Sequence, residues 1–314
     1  MAGVTVAERG EFNLIAAVVA GLPSADSVLL GPGDDGAVLR PDGDLVISID
    51  TMVEGVHFRK DWSSASDVGR KAVASSIADI EAMGAVPSAL VISLALPGDL
   101  EVAWVTEFSA GVREECRLAG AVLVGGDTTS ASDITVTCSV LGNLGGRAAV
   151  TRTGARPGDV LAICGRLGWA AAGLAVLKRG FRSPRAVVVA HRVPEPPYGA
   201  GLVAAEAGAT SMIDVSDGLL ADVGHLARGS GMTFDINSAL LDIAEPQRVV
   251  AAAIGGGDPL VFALTGGDDH ALAATFPPES VPEGWTVIGT VAAGEPGVLV
   301  DGQPWEGEAG WHHF

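Results

Sequence analysis

Aspartates recur at the ends of apolar segments, where their carboxylates could bind a divalent cation. Asp50 closes the segment LVISID, Asp127 closes VLVGGD and Asp214 closes SMID. If these segments are strands of an α/β sheet, their ends border the crevice in which ligands bind. Crowded carboxylates raise one another's pKa unless a cation lies among them. Further candidates for the same cluster are Asp35, Asp79, Asp217 and Asp268.

Mg²⁺ is the cation that such a cluster predicts, because it binds a few carboxylates together with water and substrate phosphates. Glycines accompany the aspartates, as expected where the backbone must approach a phosphate closely. These glycines are Gly31, Gly33, Gly125, Gly126, Gly218, Gly266 and Gly267. Turn or N-cap chemistry explains any single aspartate more simply, whereas the whole set favours phosphate chemistry.

The motifs of several other enzyme classes are absent from the sequence. The hexapeptide GPGDDG at 31–36 has the form GxGxxG, but Pro41 follows soon after it and no helix pattern begins there, so we expect no dinucleotide site. None of the three lysines follows a glycine, which excludes a P-loop. HExxH, GxSxG and EF-hand spacings are missing, so zinc proteolysis, α/β-hydrolase chemistry and calcium sensing have no support.

Composition narrows the choice of partners and compartment. The 19 basic and 38 acidic residues give a net charge of -19, which repels nucleic acid and anionic membranes, so we predict neither as a partner. No apolar run approaches the ~18 residues that span a bilayer. The three cysteines lack Cys-x-x-Cys spacing, which predicts a reducing, cytoplasmic location and no thiolate zinc site.

Hydrophobic periodicity predicts a mixed α/β protein. Strands are expected at 45–50 and 89–96, with a helix at about 67–83 between them. The other predicted strands are 122–124, 134–141, 160–164, 211–215, 262–265, 271–276 and 286–291. The other predicted helices are 11–20, 101–119, 170–178, 197–207 and 219–228. With 314 residues the chain is long enough for two domains, and a loop rich in Gly, Arg, Thr and Pro indicates where they meet.

Eight ordered blocks of the sequence resemble the thiamine-monophosphate kinase family, which belongs to the aminoimidazole ribonucleotide synthetase-like ATP-binding superfamily. The blocks are GEFNLI at 10–15, GPGDDGAVL at 31–39, SIDTMVEGVHF at 48–58, ADIEAMGA at 78–85, GGDTT at 125–129, TRTGARPGD at 151–159, IDVSDGLLADVGH at 213–225 and ALTGGDDHAL at 263–272. Relatives in the superfamily share mainly the glycine and aspartate blocks, whereas DTMVEGVHF is typical of the kinase.

The resemblance implies a fold and a reaction. The fold is a two-domain aminoimidazole ribonucleotide synthetase-like α/β structure with mixed α+β sheets. Residues 1–148 would bind ATP and metal and form a homodimer, and residues 149–314 would complete the active site. The reaction is direct, Mg²⁺-assisted phosphorylation of thiamine phosphate by ATP, the last step of thiamine diphosphate biosynthesis. Two alternatives stay open: another ATP-using enzyme of the superfamily with a different small acceptor, and a non-catalytic, carboxylate-rich metal-binding protein.

The resemblance also assigns roles to individual residues. Asp50, Asp127 and Asp214 would be catalytic. The implied metal ligands are Asp35, Ser48, the backbone at Ile49, Asp50, Asp79, Asp127, Asp214 and Asp217. The implied ATP contacts are Gly126, Asp127, Arg152 and Ser216, and the implied substrate contacts are His57, Asp268 and Trp311.

One block departs from the family pattern. The family commonly has Gly-Gly-Glu-Asp-Tyr-Glu where this chain has Gly-Gly-Asp-Asp-His-Ala at 266–271. Asp268 is therefore one methylene shorter than the glutamate it replaces. Structural roles are expected for His191, His225, His312 and His313.

Overall fold

The computed structural model describes residues 3–311, which form two compact units of mixed α/β structure. The first unit takes the chain up to Ile80 and again over Val86–Arg147. The second takes Glu81–Ala85 and the chain from Ala148 onward. The sequence analysis predicted one domain boundary, after residue 148. It did not predict that the segment Glu81–Ala85 belongs to the second unit. The predicted fold class, α/β with mixed sheets, is confirmed.

A four-stranded sheet forms the framework of the first unit. A separate antiparallel pair precedes it, made of β1 (Val28–Leu30) and β2 (Val38–Leu39). The sheet strands are β3 (Leu45–Val53), β4 (Val86–Leu96), β5 (Val122–Ser130) and β6 (Thr135–Asn143). Their spatial order is β3-β6-β4-β5, with β6 antiparallel to both neighbours and β4 parallel to β5.

The two faces of this sheet differ sharply in exposure. Side chains alternate between the faces along a strand. Met52 is buried on the face of β3 that also carries Ser48, and the Ser48 hydroxyl donates to Asp79 of the helix Ala65–Ala82. Helices therefore cover this face. The opposite face remains open, since Ile47 is 71% and Ile49 64% exposed.

Two glycines let the long helices of the first unit approach each other. Its helices are α1 (Val6–Arg9), α2 (Glu11–Val19), α3 (Ala65–Ala82) and α4 (Val102–Ala119). A Cβ on Gly69 would lie 2.2 Å from the carbonyl oxygen of Phe108, and a Cβ on Gly111 would lie 2.1 Å from that of Ser66. Both neighbouring atoms are backbone, so a larger residue would force the helices apart.

A seven-stranded sheet organises the second unit. Its strands are β7 (Val160–Cys164), β8 (Ser211–Val215), β9 (Thr233–Ile236), β10 (Ala271–Phe276), β11 (Thr286–Ala292), β12 (Gly297–Val300) and β13 (Gln303–Pro304). The order is β13-β12-β9-β11-β7-β10-β8, and every pairing except β9 with β12 is antiparallel. Ala273 of β10 packs in one hydrophobic cluster, whereas Leu272 and Phe276 pack in another. Apolar layers therefore cover both faces of the sheet.

The second unit contains six α-helices among the described residues, and a buried glutamate accepts hydrogen bonds from the first turn of one of them. They are α5 (Trp169–Lys178), α6 (Arg185–Arg192), α7 (Ala200–Glu206), α8 (Leu219–Ser230), α9 (Glu245–Ala253) and α10 (Leu260–Thr265). The buried carboxylate of Glu81 accepts hydrogen bonds from the backbone N–H groups of Gly199 and Gly201, at 2.9 and 3.0 Å. These donors lie at the first turn of α7, where no intrahelical acceptor exists. Burial raises the pKa of Glu81, and the two hydrogen bonds oppose that rise.

One predicted element has the wrong type. Phe262–Thr265 was expected to be a strand but lies in α10. Periodicity cannot separate a four-residue apolar run from a turn of buried helix, and the preceding Asp258-Pro259 pair favours a helix start. The predictions also missed α1, α6, α9, β1, β2, β9, β12 and β13. Within residues 3–311 no helix is both long and apolar enough to cross a membrane.

Replacing Gly111 with alanine tests the close approach of α3 and α4. Alanine improves helix propensity by about 1 kcal/mol, but overpacking against fixed backbone costs about 1–3 kcal/mol or more. We expect Gly111→Ala to lower the thermal midpoint by at least about 2 °C. Gly36→Ala is the control, because a Cβ there meets no atom within 4 Å. Equal midpoints for both variants, measured by circular dichroism, would contradict the packing argument.

Candidate active site

Ser48 and Asp79 form the best-defined part of the predicted metal set in the first unit. The Ser48 hydroxyl donates to Oδ2 of Asp79 at 2.5 Å, and both side chains are half-buried. Alternation along β3 places Ser48, Asp50 and Met52 on the same, helix-covered face. The sequence LVISID therefore brings a hydroxyl and a carboxylate to one face and leaves Ile49 on the other.

Asp50 lies inside β3 and is paired with Cys138 of β6. Burial raises the pKa of the Cys138 thiol to about 12, and the negative charge of Asp50 contributes to the rise. The Asp50 carboxylate therefore neighbours the Cys138 thiol, which stays protonated at neutral pH. The expectation that Asp50 terminates its strand is wrong, because β3 continues to Val53.

Asp127 lies on the edge strand of the same sheet, well away from Asp50. Asp127 pairs with Ser93, in the row that contains Thr51, whereas Asp50 belongs to the next row. Adjacent rows face opposite sides of a sheet, and three strand spacings amount to about 14 Å. Within one chain the register therefore does not bring Asp50 and Asp127 together. Asp127 also lies within its strand, which continues to Ser130.

Gly126 and Asp35 occupy exposed backbone positions of the first unit. A Cβ on Gly126 would lie 2.0 Å from the carbonyl oxygen of Ile92, so no other residue fits this site without moving the strand. Asp35 lies in the loop between β1 and β2, and its N–H donates to Oδ1 of Asp34 at 2.9 Å. This contact fixes the loop backbone beside the Asp35 carboxylate.

A buried lysine that the sequence analysis missed holds the segment around His57. Nδ1 of His57 accepts a hydrogen bond from the N–H of Val53 at 3.0 Å, so this nitrogen carries no proton. Lys71 is 3% exposed, and its Nζ donates to the carbonyl oxygen of His57 at 3.3 Å. A buried cation needs such partners. The signal for Lys71 was its place on the inner face of α3, where a lysine is rare.

The second unit builds a tight turn around Asp214, Ser216 and Asp217. Asp222 of α8 accepts hydrogen bonds from the N–H groups of Asp217 and Gly218, both at 3.0 Å. Burial raises the pKa of Asp222 to about 7, with a further contribution from the charge of Asp214. The sequence analysis did not single out Asp222, whose carboxylate holds this turn through the two backbone hydrogen bonds.

Asp268 lies beside that turn and not after a strand. Its N–H donates to the carbonyl oxygen of Ser216 at 2.7 Å, so a predicted substrate contact and a predicted ATP contact are neighbours. Asp268 has φ 71° and His270 has φ 55°, a conformation that costs energy in residues other than glycine. His191, expected to be merely structural, places Nδ1 3.7 Å from Oδ2 of Asp268.

Asp269 anchors this loop to α5. Its Oδ1 accepts a hydrogen bond from the N–H of Ala170 at 2.9 Å, near the start of the helix. Within the described residues Oδ2 has no hydrogen-bond partner. Burial raises the pKa of Asp269 to about 7, and the hydrogen bond from Ala170 opposes that rise. The residue acts as a structural anchor beside Asp268.

Arg152 and Trp311 occupy the surface of the second unit. Arg152 is exposed, and its carbonyl oxygen accepts from the Ser230 hydroxyl at 3.5 Å. Trp311 is 53% exposed, and its N–H donates to the carbonyl oxygen of Asp217 at 2.9 Å. Because the donor is the backbone N–H, this hydrogen bond tethers the backbone of Trp311 to the turn that carries Asp217. His312 and His313 lie outside the described residues.

The donor chemistry of these sites fits Mg²⁺. The predicted ligands offer carboxylate, hydroxyl and carbonyl oxygens, the hard donors that Mg²⁺ prefers. Within residues 3–311 of one chain, no three His, Cys, Asp or Glu side chains are grouped to hold a metal ion. Mg²⁺ commonly uses only one or two protein carboxylates and completes its shell with water and phosphate oxygens. The separated aspartates are compatible with that mode of binding.

Comparisons with known proteins place the chain in a family. Residues 33–144 match the AIR synthase related protein, N-terminal domain. The chain is 46% identical, over 99% of its length, to the thiamine-monophosphate kinase of Mycobacterium tuberculosis (strain CDC 1551 / Oshkosh), of which it covers 93%.

Two solved structures are similar along almost the whole chain. The thiamine-monophosphate kinase from Stenotrophomonas maltophilia K279a has a TM-score of 0.80 at 31% identity, covering 94% of this chain and 96% of that one. AaThiL complexed with AMPPCP and TMP has a TM-score of 0.80 at 35% identity, covering 98% of each chain. With relatives this similar over nearly their full length, the chain belongs to the thiamine-monophosphate kinase family.

Proposed function

We propose that this protein transfers the terminal phosphoryl group of ATP to thiamine phosphate, giving thiamine diphosphate and ADP. The observation that carries the proposal is the 46% identity over 99% of the chain to a thiamine-monophosphate kinase. The similarity to AaThiL complexed with AMPPCP and TMP supports both substrates. A different small acceptor in the same superfamily is the rival, and substrate competition separates the two.

The acidic site requires a cation for this chemistry. Both substrates are anionic and the chain has a net charge of -19, so their approach is unfavourable without neutralisation. We propose that Ser48, Asp50 and Asp79 hold Mg²⁺ in the first unit, and Asp214 and Asp217 hold it in the second. The proposed set is completed by Asp35, the backbone of Ile49 and Asp127. Bound Mg²⁺ would neutralise charge on the transferring phosphoryl oxygens.

The chain's own residues bind and orient the substrates. Gly126 lets a phosphate approach the strand backbone closely, and Asp127 and Ser216 lie beside such glycines. The Arg152 guanidinium can pair with phosphate oxygens in a bidentate manner. His57, Asp268 and Trp311 are the proposed contacts to thiamine phosphate. The attacking atom is already an ionised phosphate oxygen, so no residue is required to remove a proton from it.

We further propose that the protein is a homodimer formed through the open face of the four-stranded sheet. Ile47 and Ile49 of the outermost strand are exposed there, and Leu141 of β6 lies in the row of Ile47. Exposed apolar side chains grouped in this way are typical of a protein interaction site. Cytoplasmic location is proposed as well, because Cys116, Cys138 and Cys164 are all free thiols, as expected in a reducing compartment.

The reaction itself is tested by measuring ADP release and identifying the product by mass spectrometry. We expect thiamine diphosphate and ADP in equal amounts with thiamine phosphate, ATP and Mg²⁺, and neither when EDTA removes the metal. Thiamine and other small phosphate or amide acceptors serve as controls. Turnover of one of these in preference to thiamine phosphate would favour the rival function, and cation binding without ATP turnover would favour a metal-binding protein.

The proposed role of Asp50 predicts a loss of activity without a loss of fold. Asparagine keeps the size of the side chain but removes a charge that would bind Mg²⁺, so we expect Asp50→Asn to lower kcat at least about 100-fold. Asp99→Asn is the control, since Asp99 lies exposed in the turn before α4. Unchanged kcat at saturating Mg²⁺, with a native circular dichroism spectrum, would remove Asp50 from the site.

A charge on the open sheet face tests the dimer. We expect the wild-type chain of 31.6 kDa to elute with twice that mass in size-exclusion chromatography with light scattering. Ile47→Glu would place a carboxylate in the apolar contact and shift the mass to that of one chain. Val249→Glu is the control, because Val249 is an exposed valine on α9, in the second unit. A dimeric Ile47→Glu variant would show that this face is not the interface.

A further inference from the structure

His270 lies between two aspartates to which the proposed function gives different tasks. Its Nδ1 is 3.0 Å from Oδ2 of Asp214, the proposed metal ligand, and both side chains are buried. Its Nε2 is 3.9 Å from Oδ1 of Asp268, the proposed acceptor contact. One imidazole ring therefore spans the space between the two carboxylates.

The backbone fixes the ring in this place. The N–H of His270 donates to the carbonyl oxygen of Val215 at 2.9 Å, and the residue has φ 55°. Such a conformation in a non-glycine residue persists only where the surroundings enforce it. His270 directly precedes β10, whose Leu272 pairs with Asp214. The ring and the carboxylate are thus held by two neighbouring strands.

The direction of the hydrogen bond follows from its partners. An ionised carboxylate only accepts hydrogen bonds, so Nδ1 of His270 must carry the proton that is shared with Oδ2 of Asp214. This contact leaves Oδ1 of Asp214 as the oxygen that can turn toward a cation. Partners of this kind orient metal-binding carboxylates, and their removal typically weakens metal affinity about 10–100-fold.

We propose that His270 is a positioning residue that fixes the carboxylate of Asp214 for Mg²⁺ and keeps Asp268 at a set distance from it. This inference rests on the proposed function, and it concerns a residue that differs from the tyrosine common at this place in the family. In this role the imidazole ring acts on the metal only through Asp214. Its task is to hold one oxygen of Asp214 so that the other has a single orientation.

Two amide substitutions separate donation from packing. In His270→Asn the amide nitrogen takes the place of Nδ1 and can still donate to Asp214. In His270→Gln the amide reaches the place of Nε2 and leaves the Nδ1 position without a donor. His225→Asn is the control, because His225 lies exposed on α8 and its Nδ1 is 3.2 Å from Nη2 of Arg228.

The readout is Mn²⁺ binding in the presence of ADP, followed by the electron paramagnetic resonance signal of the free ion. We expect His270→Gln to bind Mn²⁺ about 10–100-fold more weakly than wild type, while His270→Asn and His225→Asn stay within about threefold. Steady-state kinetics should show a raised KM for thiamine phosphate in both His270 variants, since both disturb the spacing to Asp268.

Equal Mn²⁺ affinities for His270→Asn and His270→Gln, in proteins with native circular dichroism spectra, would overturn the inference. If His270→Gln does not fold, His270→Leu supplies the variant of similar size without a donor, and it must show the same weakened binding. Failure of the proposed function is distinguishable, because the wild-type protein would then not phosphorylate thiamine phosphate, whatever its affinity for Mn²⁺.

Discussion

Repulsion between neighbouring carboxylates is the constraint on which the arrangement of this protein depends. Each acidic side chain that leaves bulk water must meet a donor, a proton or a cation. Asp79 meets the hydroxyl of Ser48, and Asp214 meets the ring of His270. For Asp222 burial and the charge of Asp214 act together, and its pKa rises to about 7. The chain has only 19 basic residues against 38 acidic ones, so lysine and arginine cannot neutralise all of the carboxylates.

The same repulsion between negative charges explains why the proposed reaction would use a divalent cation. We propose a site of oxygen donors without a local excess of lysine, and such a site would bind ATP more favourably together with Mg²⁺ than alone. In the proposed reaction, affinity for nucleotide would depend on the metal, which would also neutralise charge during transfer. In this proposal, backbone glycines such as Gly126 would let phosphate approach closely without adding charge. Binding and catalysis thus draw on one set of interactions.

Strong periodicity and local motifs made much of the fold predictable, and the failures have physical causes. The helices α3 and α4 and the strands β7 and β8 were predicted within about two residues, because their apolar patterns are long or sharply bounded. Phe262–Thr265 was assigned wrongly because four apolar residues fit a helix turn as well as a strand. Short strands such as β12, with four residues, carry little periodic signal of their own.

The site was predictable only as a set of residue types. Aspartates could be recognised from their glycine-rich surroundings, but strand register decides which side of a sheet each one faces, and register is a long-range property. Asp127 and Asp50 therefore fall on different rows despite similar local sequences. The contacts of Lys71 and His191 were missed because their partners lie 14 or more residues away in sequence, and no local pattern marks such contacts.

The segment Glu81–Ala85 limits how the two units can be exchanged in evolution or engineering. It belongs to the second unit although α3, which leads into it, lies mainly in the first. A chimaera that joins residues 148–314 to a foreign N-terminal half would lose the carboxylate that accepts from Gly199 and Gly201, unless the donor sequence has an equivalent acid. The second unit is therefore not contiguous in sequence. One of its structural residues, Glu81, lies in the last turn of α3, more than sixty residues before Ala148.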